Sequence, residues 1–370
     1  MKKLIAVAKA PLKVIVSGEH GVVHGTPGVT LALQPFMRVN LYEAEGKPSL
    51  ELTSERGKVV LNKKGEVIGE INKNFDPFVA LTRYIIEKHG FLPRKHLIAE
   101  IVSSKAPKGV GVSASISAAL ASSLFHAMEK KPRKSSYPER DDLWMAVQSA
   151  EEIAHGGRPS GIDAMTVLYG STKLIRLVKD NKIQWNFEKM RGLNIPKNTT
   201  IIVVDTYMGG ERSKTGEMIL KLAKVYGLTK KEGEKEISKI LTEMTPQDRV
   251  RLEPFRRVFN KVLQELHPKG NAKKLGAALN KNQALLRKGG VTTKDIEKVI
   301  KISRKAGAYG AKLTGAGGPG GAVIVLAHTK KRNLLESRIK KAGFSIFPVN
   351  PTKRGTHLIV RKKPTIRHIR

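Results

Sequence analysis

The order of strand-like and helix-like segments constrains this chain more than any other feature. The first third is short, β-rich and punctuated by Gly and Pro, with strands expected at Val14–Val16, Val29–Leu33, Val39–Tyr42 and Leu50–Leu52. Helical spacing follows at Phe78, Leu81, Tyr84 and Ile85, and Ile98–Val102 returns to strand. An Ala-rich buried helix is expected over Ser115–Met128, leaving a Gly/Ser loop. The next carries Leu143, Ala146, Val147, Ala150 and Ala154 on one face and stops at Gly156-Gly157. Beyond these come a strand at Thr199–Asp205, helices at Arg256–Leu266 and Lys274–Leu286, and a capped helix from Thr293 to about Lys305. Strand Ala322–Leu326, a helix near Leu334–Ala342 and a strand around Leu358–Val360 close the pattern. Residues 129–141 read as a surface connection, and the charged stretch 229–250 as a helical insertion or mobile segment. Strands and helices mix without regular βαβ alternation or internal repeat, so the class is α+β rather than a doubly wound sheet.

At 370 residues the chain calls for two domains, set here at 1–198 and 199–370. No apolar run approaches the roughly 18 residues of a membrane span. The basic start Met1-Lys2-Lys3 is followed by only five apolar residues before Lys9, so export is not expected. With no cysteine there is no disulfide framework and no thiolate chemistry, which fits a cytoplasmic protein. The net charge of +36 points to nucleic acid, to an anionic small substrate or to a Lys-rich surface. Aromatic residues are 5% of the chain and do not interleave with the basic runs, which argues against specific nucleic-acid binding. The tail Arg361–Arg370 reads as a solvated end.

Three segments carry chemistry. The first, Ala10 to Gly25, brings Lys13 into a strand and then Glu19 and His20 to a tight turn. The second, Pro107-Lys108-Gly109-Val110-Gly111-Val112-Ser113-Ala114-Ser115, is a glycine loop opening a helix, where backbone N–H groups can hold a phosphate and a Ser hydroxyl can reach its Mg²⁺. It is not a Walker A loop. The third, Lys312 to Gly321, formally contains Gly-x-Gly-x-x-Gly, but a strand follows, so a dinucleotide-binding reading fails. Its five glycines in seven residues exceed what a hairpin needs and imply close approach to a ligand or another loop. Between the second and third, Pro159-Ser160-Gly161-Ile162-Asp163 holds a carboxylate in a Gly/Pro-shaped loop, a candidate general base.

In this order and separation the segments resemble the motifs of the GHMP kinases, nearest the mevalonate kinase branch. Pro11–Gly25 matches the first motif except for Leu12 in place of Gly; Pro159–Asp163 matches the catalytic loop; Lys312–Gly320 matches the last motif except for Pro319. Asn280–Leu286 and Asp205-Thr206 are similar to further segments of that branch. The resemblance implies a ribosomal-protein-S5-like N-terminal domain, a ferredoxin-like C-terminal domain and an active site between them. It implies ATP and Mg²⁺ as cofactor and metal, mevalonate as acceptor, no membrane, and a monomer or homodimer. Asp163 would take the proton of the C5 hydroxyl and Lys13 would assist; in an alternative, Lys13 leads and Asp163 orients it. The Pro107–Ser115 loop would carry ATP. Glu19, His20, Gly315, Ala316 and Gly317 would join Lys13 and Asp163 around the acceptor. The metal would fall to Ser115, or in a shifted register Ser113, and to Glu151, preferred over Glu152 because the helix fixes it four residues before His155.

Overall fold

The computed structural model describes residues 2–90, 95–103, 105–134, 141–156, 159–179, 182–189, 192–228 and 245–360. Gly157-Arg158, most of the charged 229–250 segment and the basic tail lie outside them. Among the described residues no helix is long and apolar enough to cross a membrane.

Two sheets organise the chain. The first contains β1 (Lys3–Ser17), β2 (Gly28–Ala44), β3 (Ser49–Ser54), β4 (Gly57–Leu61), β5 (Val67–Ile68) and β6 (His96–Val102). With β14 (His357–Val360) it runs β14-β1-β2-β6-β3-β4-β5. The hairpin of β7 (Thr172–Lys179) and β8 (Lys182–Lys189) joins β2 through β7, and β13 (Asn350–Pro351) joins β2 near its middle. The stretches expected as separate strands at Val29–Leu33 and Val39–Tyr42 are one strand, β2. Two extra residues, Gln34 and Pro35, bulge from it opposite Pro11 and Leu12, and proline has no N–H to give the ladder there. Helices α2 (Val112–Ala127) and α4 (Ile162–Tyr169) pack on β1 and β2, while α1 (Asp76–His89) and α3 (Asp142–His155) pack beside α2. Ala114, Ala118, Ala119 and Ala121 of α2 are fully buried, and their small side chains let the helix lie close to the strands.

The second sheet has the order β10-β11-β9-β12, all antiparallel, from β9 (Thr199–Asp205), β10 (Gly310–Thr314), β11 (Ala322–His328) and β12 (Ser345–Phe347). Between β9 and β10 run α5 (Thr215–Val225), α6 (Pro246–Glu265), α7 (Ala272–Lys288) and α8 (Lys294–Lys305); α9 (Arg332–Lys341) links β11 to β12. The sheet thus has the strand order of a ferredoxin-like βαββαβ unit. Thr293 caps α8 by accepting from Ile296 N–H, as its sequence implies. By contrast α6 starts at Pro246 rather than Arg256, because Thr245 and Asp248 form a capping box with proline in the first turn.

Alternation along β9 and β11 feeds two cores. Ile201, Val203, Ile324 and Leu326 join the core of the first sheet; Ile202, Val204, Val323 and Val325 join a separate one under α5, α8 and α9. Both faces are buried, so these strands read as unbroken apolar runs, each such side chain stabilising the fold by roughly 1.5–3 kcal/mol. The 199–370 range expected for the second domain takes in β13 and β14, which lie in the first sheet.

Candidate active site

Lys13 sits on β1 between Leu12 and Val14, which are fully buried in the core, while its own side chain points toward the opposite face. It is 2% exposed, a degree of burial that an ammonium tolerates only with partners. Its Nζ lies 3.0 Å from Asp163 Oδ2 and donates to the Gly109 carbonyl at 3.3 Å. Asp163 stands in the first turn of α4 rather than in a loop. Gly161 at φ 76° turns the chain directly into the helix, and a carboxylate is favoured at that end by the helix dipole.

The phosphate-type loop is moulded around Lys13. The Lys13 N–H donates to the Val110 carbonyl at 2.9 Å, which pins the loop to β1 and buries Val110. Gly111, at φ 77°, passes so close that a β-carbon there would lie 2.8 Å from Lys13 Cγ. Pro107, Lys108, Gly109, Gly111, Val112 and Ser113 line a cleft together with Lys13 and Asp163. Val110, Ala114 and Ser115, expected with them, do not. Helix α2 begins at Val112, a turn earlier than its periodicity suggests, and Ser115 is rotated inward. Its hydroxyl faces the carbonyls of Pro11 at 2.6 Å and Gly111 at 2.7 Å. The Ser113 hydroxyl is buried at the cleft with no hydrogen-bond partner among the described residues. The first N–H groups of α2 lack intrahelical partners, so this end is built to receive an anion.

Glu151 lines the cleft from α3, whereas Glu152 is exposed. Glu151 Oε2 accepts from His155 Nε2 at 2.9 Å, and Oε1 is buried without a partner among the described residues. Burial disfavours the His155 imidazolium, but the Glu151 carboxylate, its hydrogen bond and Asp163 outweigh that and raise the pKa. Glu151, His155 and Asp163 bring one ligand atom each within 4.8 Å of one another. Magnesium takes oxygen donors, and the unpaired oxygens of Glu151 and Ser113 fit that requirement.

The first and last motifs meet at His20. This residue has φ 59°, a left-handed conformation that costs a side-chain-bearing residue on the order of 1–3 kcal/mol. Its Nε2 donates to the Ala316 carbonyl at 2.9 Å, and burial pushes its pKa down to about 4. His20, Gly315 and Ala316 line the cleft. Glu19 and Gly317 do not: Glu19 is sealed behind it against Lys312, and the Gly317 carbonyl accepts from Ser213 Oγ at 2.8 Å. A β-carbon on Gly315 would lie 2.7 Å from Gly109 Cα, so the two glycine loops touch each other. The departures from the motifs stay clear of this contact, Leu12 lying in the core and Pro319 exposed.

Thr215, Gly216 and Ile219 of α5 also line the cleft, and no motif announced them. The segment before α5 straps the loops together. Lys108 donates to the Ser213 carbonyl, Ser213 N–H to the Pro319 carbonyl at 3.2 Å, and Arg212 to the Gly320 carbonyl at 2.7 Å. Burial first, then neighbouring Arg212, lowers the pKa of Lys108. The available signal was Asp205-Thr206 at the end of β9, since Arg212 also pairs with Asp205 at 3.3 Å.

Residues 262–344 match the family described as GHMP kinases C terminal. The two-sheet fold is that of the GHMP kinases, and residues 262–344 carry their C-terminal domain. Mevalonate kinases are among the proteins similar to it over nearly its whole length. That of Aeropyrum pernix is 29% identical over 355 residues, covering 95% of this chain and 97% of the relative. The crystal structure of the Methanococcus jannaschii mevalonate kinase superposes with TM-score 0.71 at 23% identity, covering 94% of this chain and 98% of that one. That of L. major mevalonate kinase in complex with R-mevalonate gives TM-score 0.67 at 20% identity, covering 95% and 99%.

Proposed function

We propose that this chain transfers the γ-phosphoryl group of ATP to the C5 hydroxyl of mevalonate, giving 5-phosphomevalonate, a cytoplasmic step toward isoprenoid precursors. The observation that carries the reading is the Lys13–Asp163 pair, 3.0 Å apart, beside a helix-opening glycine loop. Phosphoryl transfer asks a protein mainly for positioning and for charge neutralisation, and this cleft offers both. The N-terminal amides of α2, with Gly109 and Gly111, receive the nucleotide phosphates. Ser113 and Glu151 hold Mg²⁺, which supplies charge neutralisation at the phosphates when bound. Asp163 accepts the proton as the C5 oxygen bonds to phosphorus and the bond to the ADP oxygen breaks. The Lys13 ammonium holds that carboxylate in place and faces the charge on the moving phosphoryl group. His20, Gly315 and Ala316 bound the acceptor.

Among the described residues the cleft is lined by two lysines, Lys13, which pairs with Asp163, and Lys108, which donates to the Ser213 carbonyl. Mg²⁺-dependent ADP release measured over mevalonate, its phosphates, homoserine and galactose tests the proposal. Turnover with mevalonate is expected, and preference for any other acceptor would overturn it.

A further inference from the structure

Glu19 and Lys312 form a buried pair that neither borders the cleft nor belongs to an apolar core. Both side chains are fully sealed from solvent. Lys312 uses all three ammonium protons, donating to Glu19 Oε1, to the Leu313 carbonyl at 2.6 Å and to the Ile15 carbonyl at 3.4 Å. The second Glu19 oxygen accepts from Asn282 Nδ2 at 3.4 Å. Two residues along β10, on the same face as Lys312, Thr314 Oγ1 accepts from Ile15 N–H at 2.9 Å and donates to the Ile15 carbonyl at 3.2 Å. The network therefore joins the strand of Lys13 to β10, whose continuation is the Gly315-Ala316 loop, and to α7.

Glu19 also precedes the left-handed His20. On its other side Gly18 runs against Gly28, where a β-carbon would lie 2.5 Å from Gly28 Cα. A strained turn persists only where its surroundings over-determine it. His20 is held from two directions, by the anchored Glu19 backbone and by its own bond to Ala316. That bond requires the proton on Nε2 and leaves Nδ1, buried and without a partner among the described residues, on a ring that lines the cleft.

We infer that Glu19 and Lys312 are positioning residues for acceptor recognition: their ion pair holds the His20 ring, with Nδ1 as a hydrogen-bond acceptor, at a fixed place beside Lys13 and Asp163. The inference rests on the kinase reading above. A buried ion pair adds little stability over an apolar pair of similar volume, whereas it fixes geometry. Burial raises the pKa of Glu19 and lowers that of Lys312, so the site works against both charges it contains.

The test uses Glu19→Gln and the double variant Glu19→Gln/Lys312→Met, which leaves no lone buried charge if the single change fails to fold. Steady-state kinetics and ¹⁵N NMR of histidine-labelled protein are recorded for both, the His20 signals being assigned with His20→Gln. The expected result is a KM for mevalonate raised about tenfold or more, a KM for ATP within twofold of wild type, and His20 nitrogens shifted from the Nε2–H tautomer toward a mixture. Unchanged His20 resonances with unchanged KM values would overturn the inference. So would a KM for ATP that rises while that for mevalonate stands still, which would place Glu19 with the nucleotide. If the wild-type protein does not turn over mevalonate, the kinase reading fails, and the His20 resonances alone decide the positioning role.

Discussion

Gly111 and Lys13 share a space that admits only one side chain. The α-carbon of Gly111 lies against the aliphatic stem of Lys13, a β-carbon there would come within 2.8 Å of Lys13 Cγ, and the ammonium beyond is 3.0 Å from Asp163. The glycine loop therefore aims the lysine.

Asp163→Asn removes the carboxylate proposed to accept the proton while keeping shape. kcat is expected to fall by about 10²–10⁴, with a much smaller change in the KM for ATP, measured by ADP release. Lys13→Met should lower kcat comparably. Near-normal turnover of Asp163→Asn would remove its assigned role.

Gly111→Ala is expected to displace Lys13 and to strain a backbone at φ 77°. Stability should drop by about 1 kcal/mol or more in urea unfolding, and kcat by at least about tenfold. The loss of turnover should persist at temperatures where the variant is fully folded.

The serines separate by what they touch. Ser113→Ala should raise the Mg²⁺ concentration for half-maximal activity by roughly tenfold. Ser115→Ala should leave the Mg²⁺ requirement unchanged and cost about 1 kcal/mol through its buried hydrogen bonds. In the same titration Glu151→Gln should weaken Mg²⁺ dependence strongly and Glu152→Gln should not.

His20 gives the fold an acid sensitivity. Its pKa is about 4 when folded, against an ordinary value near 6.5 in the unfolded chain. Between those values the unfolded chain binds more protons, so stability falls as pH drops through that window and His20 contributes no further loss below it. The full contribution is on the order of 3 kcal/mol. Urea unfolding of wild type and His20→Gln between pH 7 and pH 4 should give converging stabilities as pH falls; parallel curves would count against it.

The parts of the site legible in the sequence are those whose spacing is local. Glu151 follows Val147 by four residues on a helix whose face holds Ala146, Val147 and Ala150, so it had to turn inward while Glu152 turned out. Asp163 and Lys13 stood out through the glycines beside them. The choice between Ser113 and Ser115 depended on where α2 places them: two residues along a helix are about 200° apart, so when one hydroxyl is buried against Pro11 the other faces the cleft. The family resemblance puts Glu19 around the acceptor together with His20, yet its partner Lys312 lies 293 residues away and no local pattern reports that pairing. The hairpin β7–β8 went unread, as did the strap at Arg212 and Ser213, whose partners are backbone carbonyls of a distant loop.

The return of β13 and β14 to the first sheet makes the four-stranded lobe a closed excursion of the chain, leaving after Asn198 and coming home at Asn350. Thr352 N–H bonds to the Ala32 carbonyl and Thr356 N–H to that of Val167, so the homecoming end is fastened to both β2 and α4. The four-stranded lobe is therefore joined to the first sheet by two crossings rather than one tether, and the C-terminal half of α4, the end away from Asp163, is fastened to the segment between β13 and β14.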